Sequence, residues 1–574
     1  MLYEKEQQEL DDLKAREEAP YWYTVKSYIT VSKGYRLKGE TPRGMYERVA
    51  STVAKSLKMP KMKDKFFDYI WNNWLCPASP VLSNIGRPDK GLPISCFGVS
   101  VGDSIKEIMD KSKELALLTK NGGGVGIDFN RIRPKGELIK GGANGATDGI
   151  IPFAKIFDST TIGISQGSTR RGASSINLDI EHGDWSEFIR MRRPEGDINR
   201  QCGNIHHCSV IKDSFMEKVW NGDYPSRRKW AELMKARMET GESYIMWYDA
   251  VNRANPQAYI NNNLTVNFTN ICSEITLFSD ELHSFVCCLS SLNLTRWDEW
   301  PEDLVEVAIL FLNGILNYFI EHAQSVLGLE CAVRSAIKGR AIGLGVLGWH
   351  TLLQKKMLPF DCFESMKLNN QIFSYIHERA HKASRDLAKK YGEPEWCKGT
   401  GYYNTHMIAI APTKSNATIS GGFSEGIEPI HRNLYLDRAA KGNFYEKNPV
   451  LEALFEAKGI NNKGTWNRVR DDRGSCKNVR GLTDEEKRVF LTAYEIPQES
   501  IIRQAAQRQP KICQAQSLNT FFPQGTPPAY FNRIHLLAWK LNLKTMYYCK
   551  STSGIQIDRF SRDINIEDCK SCEG

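Results

Sequence analysis

Hydrophobic positions are unevenly spread along the chain. Residues 1–90 are polar and read as mostly helical, ending in the Pro/Ser/Gly-rich stretch Cys76-Pro-Ala-Ser-Pro-Val-Leu-Ser-Asn-Ile-Gly86. From about Ser95, short apolar runs alternate with amphipathic stretches. Cys96–Val101 predicts a strand, and Asp103-Ser104 opens a helix whose capping box pairs Ser104 with Glu107. Ile105, Ile108, Met109 and Ala116 are its expected buried stripe; Asn121-Gly-Gly-Gly124 ends it and Val125–Phe129 resumes as a strand. Such alternation predicts an α/β fold with a largely parallel sheet. A polar stretch at 431–515 predicts surface helices, and apolar patterning returns at Ile534–Trp539 and Leu543–Tyr548. The expected division is a helical region 1–90, an α/β body 91–557 with a helical insertion near 431–515, and a mobile polar tail 558–574.

The greasiest stretch holds only Val307–Leu312 before Asn313 and Asn317 interrupt it, short of the roughly 20 residues of a membrane span. The N-terminus is charged from its fourth residue and has no apolar signal core, so a cytoplasmic protein is expected. Composition (574 residues, 41% hydrophobic, 25% charged) is that of an ordinary globular chain. The net charge of +9 suits a phosphate-bearing small ligand but is too dilute to predict nucleic-acid binding. An odd count of 15 irregularly spaced cysteines argues for reduced thiols rather than a disulfide framework.

Several motifs carry possible chemistry. Cys569-Lys-Ser-Cys572 in the tail is a tethered dithiol suited to thiol–disulfide exchange, against a bland reading as an accidental exposed pair. Cys202, His206, His207 and Cys208 are packed too closely for a tetrahedral metal site, and alternation of Ile205, His207 and Ser209 favours a strand. Gly343-Leu-Gly345-Val-Leu-Gly348 matches a dinucleotide fingerprint, yet no apolar strand precedes it, so close helix packing through glycine is expected. Ser165–Gly172 offers Arg170 and Arg171 to an anion, or is a surface turn. Finally, Asn270, Cys272 and Glu274, if extended, share one face, where an amide, a thiol and a carboxylate would meet a ligand; Cys287 follows.

Cys96, the trio Asn270–Cys272–Glu274, Cys287, the adjacent Tyr547-Tyr548 and the pair Cys569/Cys572 occur together and in order. This set resembles the large, catalytic subunit of class I ribonucleotide reductases, from about Trp74 to the C-terminus. The resemblance implies a ten-stranded α/β barrel with an internal finger loop, preceded by a mainly helical domain. It implies that Cys272 becomes a thiyl radical taking the 3′-hydrogen of a ribonucleotide, that Glu274 is the base toward the 3′-hydroxyl, and that Asn270 holds the hydroxyls. Cys96 and Cys287 would end as a disulfide, which Cys569 and Cys572 reduce, with thioredoxin or glutaredoxin reducing the tail in turn. Tyr547 and Tyr548 would pass the radical from a separate, metal-containing small subunit, and this chain would hold no tight cofactor and no metal.

By the same resemblance, Ser79, Ser95, Thr413, Lys414 and Ser415 contact a ribonucleoside diphosphate, and Asp103, Arg133 and Arg170 serve a specificity site for a deoxynucleoside triphosphate or ATP. A homodimer is implied, with no membrane and no nucleic acid. The region before Trp74 lacks the glycine- and valine-rich pattern of the family's ATP cone, so no overall activity switch is expected in this subunit. Two rivals remain: a one-chain class II reductase using adenosylcobalamin, which would have no use for the tyrosine pair, and, more remotely, a non-catalytic nucleotide- or nucleic-acid-binding protein.

Overall fold

The structure is a computed structural model that describes residues 3–87, 91–139, 145–164, 172–194, 196–439 and 442–552. Helices α1 (Glu4–Ala15), α2 (Val25–Gly34), α3 (Pro42–Ser56) and α4 (Lys63–Trp71) form the N-terminal layer. Thr24 and Ser27 make a reciprocal capping box on α2, and Thr41 caps α3, with Pro42 at its first position. The α3 stripe Met45, Val49, Val53 is fully buried against the apolar helix Leu304–Ala323. Gly314 permits that close crossing, because a Cβ there would lie 2.6 Å from Val53 Cγ1. By length and composition, Leu304–Ala323 could cross a membrane, but here it is a core helix. The asparagines that interrupt its apolar run are spent on polar partners: Asn404 Nδ2 donates to Asn313 Oδ1 (3.0 Å), and Arg340 donates to Asn317 Oδ1 (2.6 Å).

The body is a curled sheet. After β1 (Leu75–Pro77) and α5 (Ser79–Asn84), five parallel strands run in order: β2 (Cys96–Ser100), β3 (Gly124–Asp128), β4 (Ala173–Asp179), β5 (His206–Ile211) and β6 (Tyr244–Trp247). Helices α6 (Ile105–Lys120) and α7 (Ile151–Gly163) cover their outer face. Strand β7 (Phe285–Asn293) then pairs antiparallel with both β1 and β2, and β8 (Ile342–Leu347) lies parallel to β7. The next two staves are irregular: 407–411 bridges β8 at Leu344–Ile408, and 514–518 bridges it at Ile410–Gln516. The insertion carries a hairpin, β9 (Leu434–Ala439) with β10 (Gly442–Lys447). Beyond β11 (Thr520–Phe522), β12 (Thr545–Met546) pairs antiparallel with β6, and Tyr547 N donates to Leu518 O, which closes the ring. Strand β13 (Cys549–Ser551) pairs with β11. Among the described residues, the nine-stranded sheet and the two irregular staves curl around the interior, a barrel behind an all-helical layer.

Four expectations need correction. On α6 the buried ridge is Ile108, Leu115 and Leu118, whereas Ile105 and Met109 are 66% and 48% exposed. The 3–4 spacing from Ile108 fixes the inward face and turns 105 and 109 outward. Ser104 caps Glu107 N, but the Glu107 carboxylate takes the Ser104 hydroxyl, so only half the box forms. The glycine motif is no helix contact: Gly343 and Gly345 lie inside β8, and Gly348 (φ 85°) turns the chain into helix Trp349–Lys355. A Cβ at Gly345 would lie 2.8 Å from Ala409 O, so glycine admits the neighbouring stave. The 431–515 insertion holds a hairpin as well as helices, and those helices bury a small core of Leu451, Phe455, Trp466, Val469 and Phe490.

Candidate active site

Residues 269–276 enter the barrel as a reversed loop rather than an extended strand, which corrects the period-two reading of Asn270, Cys272 and Glu274. Ser273 takes a left-handed conformation (φ 65°), and its N–H bonds Asn270 O at 3.2 Å. The Asn270 side chain replaces a partner strand, with Oδ1 accepting from Ile275 N (3.0 Å) and Nδ2 donating to Glu274 Oε2 (2.8 Å). The trio therefore converges through a turn.

Both walls grip this loop. On one side a Cβ at Gly126 of β3 would stand 2.0 Å from Thr269 O, so only glycine lets the loop lie there. Asn177 of β4 reads both backbone groups of Thr269, donating to its O and accepting from its N at 3.2 Å each. On the other side Ala515 N donates to Glu274 O (2.9 Å), and Ser517 Oγ reaches Cys272 O (2.7 Å) and Glu274 Oε2 (3.3 Å). Asn270, Cys272 and Glu274 are all at most 1% exposed.

Cys96 and Cys287 stand directly opposite each other in the antiparallel β2–β7 ladder. Opposed residues in such ladders have Cα atoms about 4.5–5.5 Å apart, within the range a disulfide spans. Both are thiols here. Cys96 Sγ lies 3.9 Å from Glu274 Oε1 and 3.7 Å from Asn270 Nδ2, and Gln514 Nε2 donates to Cys287 Sγ at 3.4 Å. Burial pushes the Glu274 carboxyl up to about 7, outweighing the donors that hold its charged form. Burial first, then the Glu274 charge and a neighbouring thiol (Cys287 for Cys96, Cys288 for Cys287) keep both thiols protonated, with pKa values well above the ordinary thiol range. A carboxylate poised near neutrality beside three thiols can move protons, and a pair of the thiols can deliver two electrons.

Tyr547 follows β12 directly and is 2% exposed; Tyr548 is half-buried. Their ring centroids are 4.4 Å apart. Tyr547 N bonds Leu518 O, one residue beyond the Ser517 that holds the Cys272 carbonyl, so the pair reaches the finger loop through one stave.

The expected substrate residues gather near β1. Ser79 begins α5, and its buried hydroxyl has no hydrogen-bond partner among the described residues. Ser95 precedes Cys96 and accepts Gly124 N on its carbonyl (2.6 Å). Thr413 (φ 58°) starts helix Lys414–Ile419; its hydroxyl accepts Gly426 N (2.7 Å), while Ser415 is buried and Lys414 exposed. Asn73 Nδ2 to Ser420 O (2.9 Å) ties that helix beside β1. Away from them, Asp103 and Arg133 form an ion pair (Nε to Oδ2 2.8 Å), reinforced by Arg133 N to Oδ1 at 3.1 Å. Arg170, Cys569 and Cys572 lie outside the described residues.

Sequence reasoning missed Gly126, Asn177, Gln514 and Ser517. Only Gly126 had a readable signal, a glycine inside an apolar strand. His206 and His207 approach the Glu242 carboxylate at 3.1 and 3.9 Å, and Arg192 joins it at 3.2 Å. No group of three or more metal-ligating side chains occurs among the described residues.

A buried, thiol-bearing finger loop and a cross-strand pair of thiols share the barrel interior, a set suited to two-electron reduction, and comparison with known proteins gives the class. The family model described as ribonucleotide reductase, barrel domain, matches residues 94–229, 221–400 and 394–549, and the all-alpha domain model of the same family matches 23–90. The chain is 32% identical to the ribonucleoside-diphosphate reductase large subunit of Invertebrate iridescent virus 3, over 89% of this chain and 92% of that protein. It is 29% identical to the large subunit of Caenorhabditis elegans, over 95% and 78% respectively. The class Id ribonucleotide reductase alpha subunit of Actinobacillus ureae superposes with a TM-score of 0.86 at 39% identity, covering 94% of this chain and 99% of that one. The chain belongs to the ribonucleotide reductase family, as a large subunit.

Proposed function

We propose that this chain reduces ribonucleoside diphosphates to 2′-deoxyribonucleotides by thiyl-radical chemistry. The observation that carries the reading is the convergence of Asn270, Cys272 and Glu274 on the opposed pair Cys96 and Cys287, all buried inside the barrel. The Cys272 thiyl takes the 3′-hydrogen, leaving a carbon radical and a thiol. The Glu274 carboxylate takes the 3′-hydroxyl proton, and Asn270 orients the hydroxyls. The 2′-hydroxyl leaves as water after protonation by a thiol. Cys96 and Cys287 supply two electrons and two protons and become a disulfide, after which Cys272 returns its hydrogen to C3′. The sum is one ribonucleotide and two thiols to one deoxyribonucleotide, one disulfide and one water.

Cys569 and Cys572 then reduce the disulfide by exchange and are themselves reduced by thioredoxin or glutaredoxin. Residues 558–574 serve as that redox arm, 1–90 as the helical domain and 91–557 as the catalytic body. A metal-containing small subunit supplies the oxidising equivalent, which Tyr548 and Tyr547 pass inward. Ser79, Ser95, Thr413, Lys414 and Ser415 hold the diphosphate. Asp103, Arg133 and Arg170 bind the effector nucleotide in a homodimer.

The test is deoxynucleotide formation from the four ribonucleoside diphosphates with dithiothreitol and effector, in two arms. One contains a metal-loaded small subunit from the same genome, the other adenosylcobalamin alone. Turnover only with the small subunit, abolished in Cys272→Ser and in Tyr548→Phe, is expected. Turnover with adenosylcobalamin alone would overturn the two-subunit reading, and silence in both arms would overturn the activity.

A further inference from the structure

We propose that Tyr244 is a third redox-active tyrosine, which shares the radical with Tyr547 and Tyr548; the inference rests on the relay reading above. The antiparallel pairing of Met546 with Ile245 brings the start of β6 against the residues that follow β12. The Tyr244 ring centroid lies 4.6 Å from that of Tyr547 and 5.0 Å from that of Tyr548, while those two are 4.4 Å apart. The three rings make a nearly equilateral triangle, so no distance sets Tyr244 apart from the pair. Tyr244 and Tyr547 are buried, and Tyr548 is the partly exposed corner. A phenol at 244 puts a hydroxyl in the core, where phenylalanine would fill the same space without the cost of desolvating it.

The surroundings of the triangle are polar and fixed. The His206 ring sits 5.9 Å from Tyr244 and 6.1 Å from Tyr548, with Nδ1 between Glu242 Oε1 (3.1 Å) and Arg192 Nη1 (2.8 Å). The buried Arg237 guanidinium bonds Tyr547 O (3.1 Å) and His535 Nε2 (2.9 Å). These bonds hold the His206 ring and the Tyr547 backbone beside the three phenols.

The step balances within the chain. The one-electron oxidant of the small subunit takes an electron from Tyr548, whose phenolic proton also leaves. Tyr548–O• and Tyr244–OH then exchange one electron and one proton to give Tyr548–OH and Tyr244–O•, and Tyr244 exchanges with Tyr547 in the same way. Tyr547–O• finally takes the hydrogen of the Cys272 thiol. Nothing else is consumed, and Tyr244 gives the radical a second buried resting place next to its exit toward Cys272.

The test uses the full chain with a metal-loaded small subunit, a ribonucleoside diphosphate and effector. The easily oxidised analogue 3-aminotyrosine is placed at 244, 547 or 548 in separate preparations. An aminotyrosyl radical signal at 244, formed with matching loss of the small-subunit radical, is expected. Tyr244→Phe, which keeps the ring packing, should lower kcat about threefold with KM unchanged. A signal at 547 with none at 244, or wild-type kcat in Tyr244→Phe, would overturn the proposal. Silence at all three positions would instead remove the relay reading on which it stands.

Discussion

The two halves of the barrel are built differently. Strands β2 to β6 form an unbroken parallel ladder, and every residue of β2 and β3 is buried. The other half starts regularly with β7 and β8 but continues as staves 407–411 and 514–518, which share backbone hydrogen bonds such as Ile410 N to Ala515 O (3.1 Å) and Ser517 N to Ile410 O (2.9 Å) but form isolated bridges rather than strands. A laddered strand spends its N–H and C=O groups on neighbouring strands, whereas the irregular stave turns one of its own, Ala515 N, to the finger loop. The site follows that division. The regular half contributes surface shape and a fixed thiol, through Gly126, Asn177 and Cys96. The irregular half contributes donors: Ala515 N, Ser517 Oγ and Gln514 Nε2 all reach the finger loop or Cys287.

The comparison breaks most sharply at its glycines. Alanine at Gly126 must push against Thr269 O from 2.0 Å, and both sides of that contact are backbone, so the finger loop has to lift. A displacement of about 1 Å at reacting atoms costs about 100-fold in rate, so Gly126→Ala should lose at least that in kcat while effector binding and the circular dichroism spectrum persist. Gly345→Ala meets Ala409 O at 2.8 Å, a milder approach to a stave held outside the strand ladder, and should cost less. Equal losses in the two variants would mean that the irregular half is as rigid as the ladder.

Glu274 gives the next effect. With its pKa near 7, the carboxylate proposed to accept the 3′-hydroxyl proton is formed only as pH rises through neutrality. The rate should climb about tenfold per unit below pH 7 and level off above it; Glu274→Gln should abolish that limb and cost about 100- to 10,000-fold. Stability runs the other way. The folded state holds this proton more tightly than the unfolded chain, whose glutamate titrates near 4.5, so the group's contribution is full below 4.5 and lost as pH rises through 7. The loss is about 3 kcal/mol at most. Urea midpoints should therefore favour Glu274→Gln over the parent at pH 8 and not at pH 4.

How much of this was legible in the sequence divides along the same seam. The β2 strand with Cys96, the alternation of β5 and the residue set of the finger loop could be read from local pattern. The loop's shape could not, because a turn closed by Asn270 on Ile275 N brings positions 270 and 274 together just as an extended strand would. The glycine motif misled for a related reason: its strand is the motif itself, since the neighbouring backbone at Ala409 demands glycine where an apolar side chain was sought. The α6 stripe failed at Ile105 and Met109 because apolar residues alone do not say which face meets the sheet. Asn177, Gln514 and Ser517 look like any polar residues until distant segments meet. Tyr244 joins the tyrosine pair only through the β6–β12 pairing, some 300 residues apart in sequence.

The smallest predicted effect tests whether a donor on the irregular half tunes chemistry or only packing. Gln514 Nε2 donates both to Ile342 O (3.0 Å) and to Cys287 Sγ (3.4 Å). That second bond favours the Cys287 thiolate against burial, which pushes its pKa well up. In the proposed cycle the tail dithiol opens a Cys96–Cys287 disulfide; one sulfur must then leave as a thiolate, and a leaving group of higher pKa departs more slowly. Gln514→Leu removes the donor, so multiple turnover should fall about threefold and its pH dependence move upward, by the usual relation of leaving-group pKa to rate. A single turnover of pre-reduced protein needs no such step and should be little changed. Gln516, two residues along, bonds Ala505 O and Gln509 Oε1 instead of a sulfur, so Gln516→Leu should lower thermal stability without separating the two kinetic readouts. If Gln514→Leu slows single and multiple turnover alike, the amide acts by holding the stave, and the irregular half would differ from the ladder in geometry alone.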